Sequence, residues 1–192
     1  MYDFHYNFVK KDLSNWFASK LLYMDTDSFI YEFTTLRKED TTDIYHIIRD
    51  YASLLFDTSD LPVDNQWGIP QVNKKVPGKF KDELCGKIMT EFVSLKSKVY
   101  GFKIDGKDSS VRKLKGVGKT AIKHITFDDF YKCLFNEVNQ NCTFNTIQSK
   151  NHQVFTVKIH KKALDSSDNK RYILPNNVVE TLPWGHYKIV NE

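Results

Sequence analysis

Lys20-Leu-Leu-Tyr-Met-Asp-Thr-Asp-Ser-Phe-Ile-Tyr-Glu-Phe33 is the stretch on which the reading of this chain turns. Two runs rich in aromatic and aliphatic residues, 20–24 and 29–33, flank Asp25-Thr26-Asp27-Ser28, whose residue types favour turns. The stretch therefore reads as a β-hairpin with acids at its tip. A single small Thr between Asp25 and Asp27 keeps the two carboxylates close, and such a pair invites a cation. Mg²⁺ suits it, because Mg²⁺ prefers hard oxygen ligands, retains several waters and is commonly held by one or two carboxylates together with substrate phosphates. Where two ions share a site, one activates the attacking oxygen and the other stabilises the leaving one. Taken alone, Asp-Thr-Asp-Ser reads as an ordinary solvated turn. Apolar strands on both sides, with Tyr23 two residues before Asp25, argue for more, since a solvated turn needs no such burial.

Downstream, Ile44, Ile47, Ile48, Tyr51, Leu54 and Leu55 recur at three- and four-residue steps after Thr42 and Asp43. This predicts a capped amphipathic helix laid over a sheet. In 61–77, prolines, Asn65, Gly68 and Asn73 interrupt any period, and a surface loop is predicted. Residues 87–104 are rich in β-formers; taken as one strand, they put Lys96, Lys98, Tyr100 and Phe102 on one face, basic and aromatic groups interleaved. A short strand around 111–117, ending at Gly116 and Gly118, comes next. Thr126 with Asp129 three residues on resembles a capping box. It precedes an apolar stripe of Phe127, Phe130, Tyr131, Leu134, Phe135 and Val138, a helix that opens a second lobe. Residues 153–159 and 171–174 read as strands.

The chain has 192 residues and a mass of 22.5 kDa, enough for one domain or two small ones. With 41% hydrophobic and 27% charged residues it lies in the ordinary globular range, which excludes disordered and collagen-like classes. No run of about 18 apolar residues occurs, and the N-terminal sequence lacks the charged-then-apolar layout of a signal peptide. An intracellular protein without membrane partners is the expectation. Cys85, Cys133 and Cys142 are odd in number and include no C-x-x-C pair, so they read as reduced thiols.

The formal net charge of +4 is unevenly spread. Residues 1–70 hold 6 basic and 12 acidic groups, 71–132 hold 15 and 7, and 133–192 hold 7 and 5. The middle is a basic block, and a block of that sign attracts polyanions through release of condensed counterions. Several competing chemistries fail on spacing. Phe29 and Ile30 stand where a calcium loop needs further oxygen ligands and Gly. Gly118-Lys119-Thr120 lacks the Gly a phosphate-binding loop requires five residues earlier, where Lys113 stands. The six histidines show no H-E-x-x-H spacing, and no G-x-S-x-G elbow occurs.

Leu21-Leu-Tyr-Met-Asp-Thr-Asp-Ser28 resembles the Y-x-D-T-D-S motif, motif C, of family B DNA polymerases. Lys96-Ser-Lys-Val-Tyr100 resembles the K-x-Y motif of the protein-primed branch, and Leu114-Lys-Gly-Val117 followed by Ile125-Thr-Phe-Asp-Asp-Phe130 is similar to its palm-to-thumb passage. Within that branch the likeness is to the polymerases of Polinton/Maverick transposons, to which Phe56-Asp-Thr-Ser-Asp60, Asn73-Lys-Lys75 and Gly78-Lys-Phe-Lys-Asp-Glu83 are also similar. Three motifs in order are more specific than any one of them.

The resemblance implies an α+β fold: a partial polymerase palm over 1–118, an antiparallel sheet with a covering helix, followed by a small thumb over 119–192. It implies a DNA-directed DNA polymerase that transfers nucleotides from dNTP to a primer 3′-OH. Asp27 would be the principal metal ligand and Asp25 its weaker companion, with two Mg²⁺ in the complete site. Tyr23 would pack beside the incoming nucleotide. Lys98 and Tyr100 would grip the primer strand or a terminal priming protein, and Lys115 a backbone phosphate. Partners would be a DNA primer–template and dNTP, and the nucleus is a compartment consistent with that role. The family's D-x-x-S-L-Y-P and K-x-x-x-N-S-x-Y-G segments, which precede motif C as its exonuclease does, do not occur here. The expectation is therefore a C-terminal portion of a longer polymerase, weak or inactive without those upstream segments. The alternative is an inactive remnant that binds nucleic acid through its basic block.

Overall fold

A computed structural model describes residues 1–37, 43–167, 170–175 and 177–189. The chain forms two compact units, Met1–Ile88 and Met89–Glu192. In the first, a loosely wound helical segment, Phe4–Asp12, and a single tight turn, Leu13–Asn15, lead into strand β1 (Phe17–Asp25), which pairs antiparallel with β2 (Ser28–Thr35). Helix α1 spans Ile44–Leu55. Asp43 caps it, its carboxylate accepting the Tyr45 N–H at 3.2 Å; Thr42 lies outside the described residues. Phe8, Val9 and Leu13, then Phe17, Tyr31 and Phe33 of the hairpin, then Ile47, Ile48 and Tyr51 of α1 form one apolar cluster. A two-stranded hairpin alone is marginal in water. Packing of α1 and the N-terminal segment against it supplies the burial it lacks, but Leu54 of the predicted stripe is 63% exposed. The Tyr31 hydroxyl and His5 Nδ1 share a 2.6 Å hydrogen bond beneath it, and burial pushes the Tyr31 pKa up to about 12.

Short strands β3 (Phe56–Asp57) and β4 (Phe80–Lys81) pair in parallel and bracket the predicted loop. That loop is irregular but tied down. Leu61 and Ile69 are buried beside Tyr45 and Ala52, and the Trp67 ring stacks on Tyr45 with centroids 4.1 Å apart. Asn73, at a φ of 60°, donates its amide to the carbonyls of Ala52, Ser53 and Phe56 at 3.0, 3.0 and 2.8 Å. It ties the loop to the last turn of α1, where the Ala52 carbonyl also accepts the Phe56 N–H and the Lys79 ammonium donates to the Ser53 and Leu54 carbonyls. Buried Asp57 accepts the Ser59 and Lys75 N–H groups, each at 3.0 Å. Asp82 accepts from Leu84, Gly86 and the Tyr45 hydroxyl at 2.9, 2.7 and 2.9 Å. The segments 56–60, 73–75 and 78–83, singled out by resemblance, thus carry a polar framework that folds the loop onto α1.

In the second unit, β5 (Met89–Lys96), β6 (Val99–Ile104) and β7 (Val111–Leu114) form an antiparallel sheet with β6 in the centre. The reading of 87–104 as one strand is corrected here. The chain reverses at Ser97-Lys98, where Lys96 pairs with Val99 and Lys98 takes a φ of 62°. Lys96 and Lys98 therefore do not share a strand with Tyr100 and Phe102. β-Propensity marks both arms of a tight hairpin equally, and a two-residue loop without Gly, Pro or Asn leaves no mark between them.

Helix α2 (Lys119–Ile122) is one turn, and α3 (Phe127–Asn136) follows with the predicted capping box intact: Thr126 Oγ1 accepts the Asp129 N–H and the Asp129 carboxylate accepts the Thr126 N–H. Phe127, Phe130 and Cys133 of α3 bury against Val93, Leu95, Val99 and Leu114 on one sheet face. Gly101 permits the approach, since a Cβ there would stand 3.3 Å from the Phe127 ring. The predicted stripe holds only in part: Tyr131 and Phe135 are 52% and 45% exposed, and Val138 lies past Glu137, whose φ of 57° ends the helix. β8 (Gln140–Lys150) and β9 (Gln153–Leu164) make a long antiparallel ribbon. β10 (Arg171–Leu174) and β11 (Asn177–Pro183) make a smaller one.

The protein is a mixed α+β structure of small, mostly antiparallel sheets and few helices. Among the described residues no helix is long and apolar enough to cross a membrane. The compact units divide between Ile88 and Met89. The division at residue 118 implied by resemblance separates roles, a different criterion from contiguous packing.

Candidate functional site

The hairpin tip is shaped by a register shift. Phe17 stands opposite Thr35 and Leu21 opposite Tyr31, but the register then slips, so that Tyr23 faces Ile30 and Asp25 faces Ser28. Had the first register continued, Tyr23 would stand opposite Phe29 on the side of Tyr31 and Phe33, which pack into the core. The irregularity at Leu22 instead turns Tyr23 and Asp25 to the other face, the re-aiming for which strand bulges are known. Two residues, Thr26 and Asp27, close the loop. The Asp27 N–H donates to the Asp25 carbonyl at 2.7 Å, and the Ser28 hydroxyl donates to the same carbonyl at 3.0 Å. Thr26 takes a φ of 52°. A β-branched residue there is an outlier that costs roughly 1–3 kcal/mol and persists only where its surroundings impose it. Its hydroxyl lies 3.3 Å from the Asp25 carboxylate, which is half-buried, whereas Asp27 is exposed.

The donor set, two hard carboxylates at one hairpin tip, is of the chemical type that Mg²⁺ takes while keeping most of its waters. It is short of what two ions need. Among the described residues no group of three or more His, Cys, Asp or Glu gathers where it could hold a metal.

In the second unit the other predicted residues come together through pairings absent from the one-strand reading. Lys98 sits in the β5–β6 turn, and its carbonyl accepts the Lys115 N–H at 3.0 Å, so residues 17 apart in sequence adjoin at one end of the sheet. Tyr100 follows on β6, half-buried, its ring 5.8 Å from Phe92 and 6.3 Å from Phe102, with Lys113 directly opposite on β7. Lys113, Tyr100 and Phe102 share the sheet face away from α3. Basic and aromatic groups do interleave, then, but Lys113 takes the place expected for Lys96 and Lys98.

Two glycines dock the base of the β8–β9 ribbon on the turn after β7. Lys161 Nζ donates to the Gly116 carbonyl at 3.1 Å, and a Cβ on Gly118 would stand 2.8 Å from the Phe144 ring. Lys113 and Lys161 escaped the sequence reading because cross-strand register alone brings them to this edge. Arg112, equally basic, is committed elsewhere, to the carbonyl of Ile125. No family model, curated protein or solved structure matches the chain.

Proposed function

We propose that this chain is a palm-and-thumb portion of a protein-primed family B DNA polymerase, in which Asp25 and Asp27 hold Mg²⁺ and Lys98, Tyr100 and Lys115 hold the primer strand. The observation that carries the reading is the hairpin apex. A register shift directs Tyr23 and Asp25 away from the apolar cluster, and Thr26, between the two aspartates, is held in a costly conformation. The adjacency of Lys98 and Lys115 beside Tyr100 adds a phosphate-binding edge with an aromatic surface, the combination that tracks a nucleic-acid backbone.

In the reaction, the primer 3′ oxygen bonds to the α-phosphorus of the dNTP, the α–β bridging bond breaks, pyrophosphate leaves and the hydroxyl proton passes to solvent. Mg²⁺ would supply charge stabilisation of the attacking and leaving oxygens. The protein's part is to fix two carboxylates at the apex and to hold the primer backbone. The incomplete carboxylate set favours a second reading, an inactive chain that binds nucleic acid through its basic segment.

Binding of a labelled primer–template followed by dNTP addition, with and without Mg²⁺, tests both. The first reading expects a Mg²⁺-dependent gain in dNTP affinity that Asp27→Asn abolishes while DNA binding persists, and DNA binding weakened by Lys98→Ala and Lys115→Ala. Salt-sensitive DNA binding with no Mg²⁺-dependent response to dNTP supports the second. No DNA affinity at low salt removes both.

A further inference from the structure

β8 and β9 pair over their whole length, from Gln140 opposite Leu164 to Lys150 opposite Gln153, and among the described residues neither strand has a second neighbour. The ribbon therefore has two open edges, and they differ in composition. From Val138 to Ser149 the chain reads Val-Asn-Gln-Asn-Cys-Thr-Phe-Asn-Thr-Ile-Gln-Ser, with no charged residue, no Pro and no Gly. β9 carries Lys158, His160, Lys161 and Lys162. Open edges are ordinarily guarded by lysines, prolines or bulges, because a row of free N–H and C=O groups accepts another extended chain. β9 is guarded in this way and β8 is not. The one irregularity in the register of β8 lies at its base, at Gln140 and Asn141, and among the described residues no backbone hydrogen bond outside the ribbon engages residues 141–150. The turn at Gly118 meets the strand through the Phe144 side chain, on its face. Farther out, residues 147–150 and 153–156 are all exposed, Ile147 to 74%. A two-stranded ribbon with so little cover is marginal by itself.

We propose that β8 is a self-association edge: two copies of the chain pair β8 against β8, antiparallel, in a four-stranded sheet ordered β9–β8–β8–β9. The inference goes beyond the polymerase reading and does not depend on it. Charge selects the occupant. In that order the uncharged strands meet in the middle and the lysines of both copies stand one strand away from the junction, whereas pairing through β9 would bring Lys158, Lys161 and Lys162 of two copies together. β8 is also complementary to itself. Its Asn and Gln amides and its Thr and Ser hydroxyls each donate and accept, so a residue can face its own kind across a two-fold axis. A register centred on Asn145 sets amide against amide and places Ile147 opposite Thr143 of the second copy, which covers the exposed isoleucine. Residues 141–149 paired in this way form about eight to ten main-chain hydrogen bonds. Growth stops at two copies, because the outer edges of the new sheet are the lysine-bearing β9 strands.

The test is sedimentation velocity of the full chain over an about hundredfold range of concentration, with hydrogen exchange read by mass spectrometry at both ends of that range. A monomer–dimer equilibrium is expected, in which residues 141–149 gain more protection at high concentration than residues 153–162. Asn141→Lys with Asn145→Lys sets like charges across the axis and is expected to raise the dimer dissociation constant about tenfold or more. Thr156→Lys puts the same charge on the same face of the ribbon but on β9, and should change that constant less than about threefold. Unaltered exchange protection of α3 shows that both variants keep the fold. A chain that is monomeric at every concentration overturns the proposal and leaves the edge to an extended segment of another protein. A dimer that tolerates both β8 lysines, or that Thr156→Lys breaks equally, overturns it as well, and assembly beyond two copies overturns the closure by β9.

Discussion

Thr26 holds a backbone conformation that suits glycine, yet carries a β-branched side chain between two aspartates. Thr26→Gly is expected to raise stability by about 1 kcal/mol in urea unfolding, because the left-handed strain is relieved. The Mg²⁺-dependent response should weaken in the same variant, since the loop no longer restrains its carboxylates. A gain in stability without a change in that response would separate the strain from the site. Asp57 is the opposite case, a carboxylate whose environment suits its charge. Hydrogen bonds from Ser59, then the backbone N–H of Lys75, with Lys81 nearby, hold its pKa down to about 2. A folded-state value below the unfolded one means that its contribution is present above about pH 4 and is lost as pH falls toward 2. Asp57→Asn should therefore flatten the stability–pH curve in that window, measured by denaturant midpoints; an unchanged slope would show that the hydrogen bonds contribute little.

Among the elements, α1 was legible in outline because its apolar spacing and Asp43 cap are local signals. How it ends was not, because Asn73 and Lys79, far along the chain, both donate to carbonyls of its last turn. Asn73→Ala should cost about 1–2 kcal/mol, since it removes the amide that ties the loop to α1 and a residue at ease with positive φ. Thermal unfolding monitored by far-UV circular dichroism checks it; a loss under ~0.5 kcal/mol would mean that water replaces the amide. The ribbon shows a similar dependence. Gly118→Ala forces a methyl group to within 2.8 Å of Phe144, which predicts a loss of about 1–3 kcal/mol and weaker seating of the ribbon base. Neither Asn73 nor Gly118 announces its role in sequence, because each acts through a contact rather than through its neighbours.

Across the whole molecule, charge divides with the compact units. Met1–Ile88 carries 11 basic and 14 acidic groups, and Met89–Glu192 carries 17 and 10. Nucleic acid should accordingly contact the second unit. Lysine acetylation with mass-spectrometric readout, with and without DNA, is expected to show protection of Lys98 and Lys115 and little protection of Lys10, Lys20 or Lys79. Uniform protection would indicate association governed by net charge alone.

What the sequence determined unaided are the features written in short range: the acidic hairpin tip, most of the helical stripe of α1, the capping box at Thr126 and the basic middle. Each depends on residues within a few positions of one another, where periodicity and turn chemistry act. Only the tertiary structure decided the register slip that turns Tyr23 and Asp25 from the core, the reversal at Lys98, the meeting of Lys98 with Lys115, and the packing of an acid-free ribbon on two glycines. Strand pairing joins residues far apart in the chain, and a slip of one position exchanges the two faces of a strand. Local preference cannot encode that choice; the competition among alternative packings settles it.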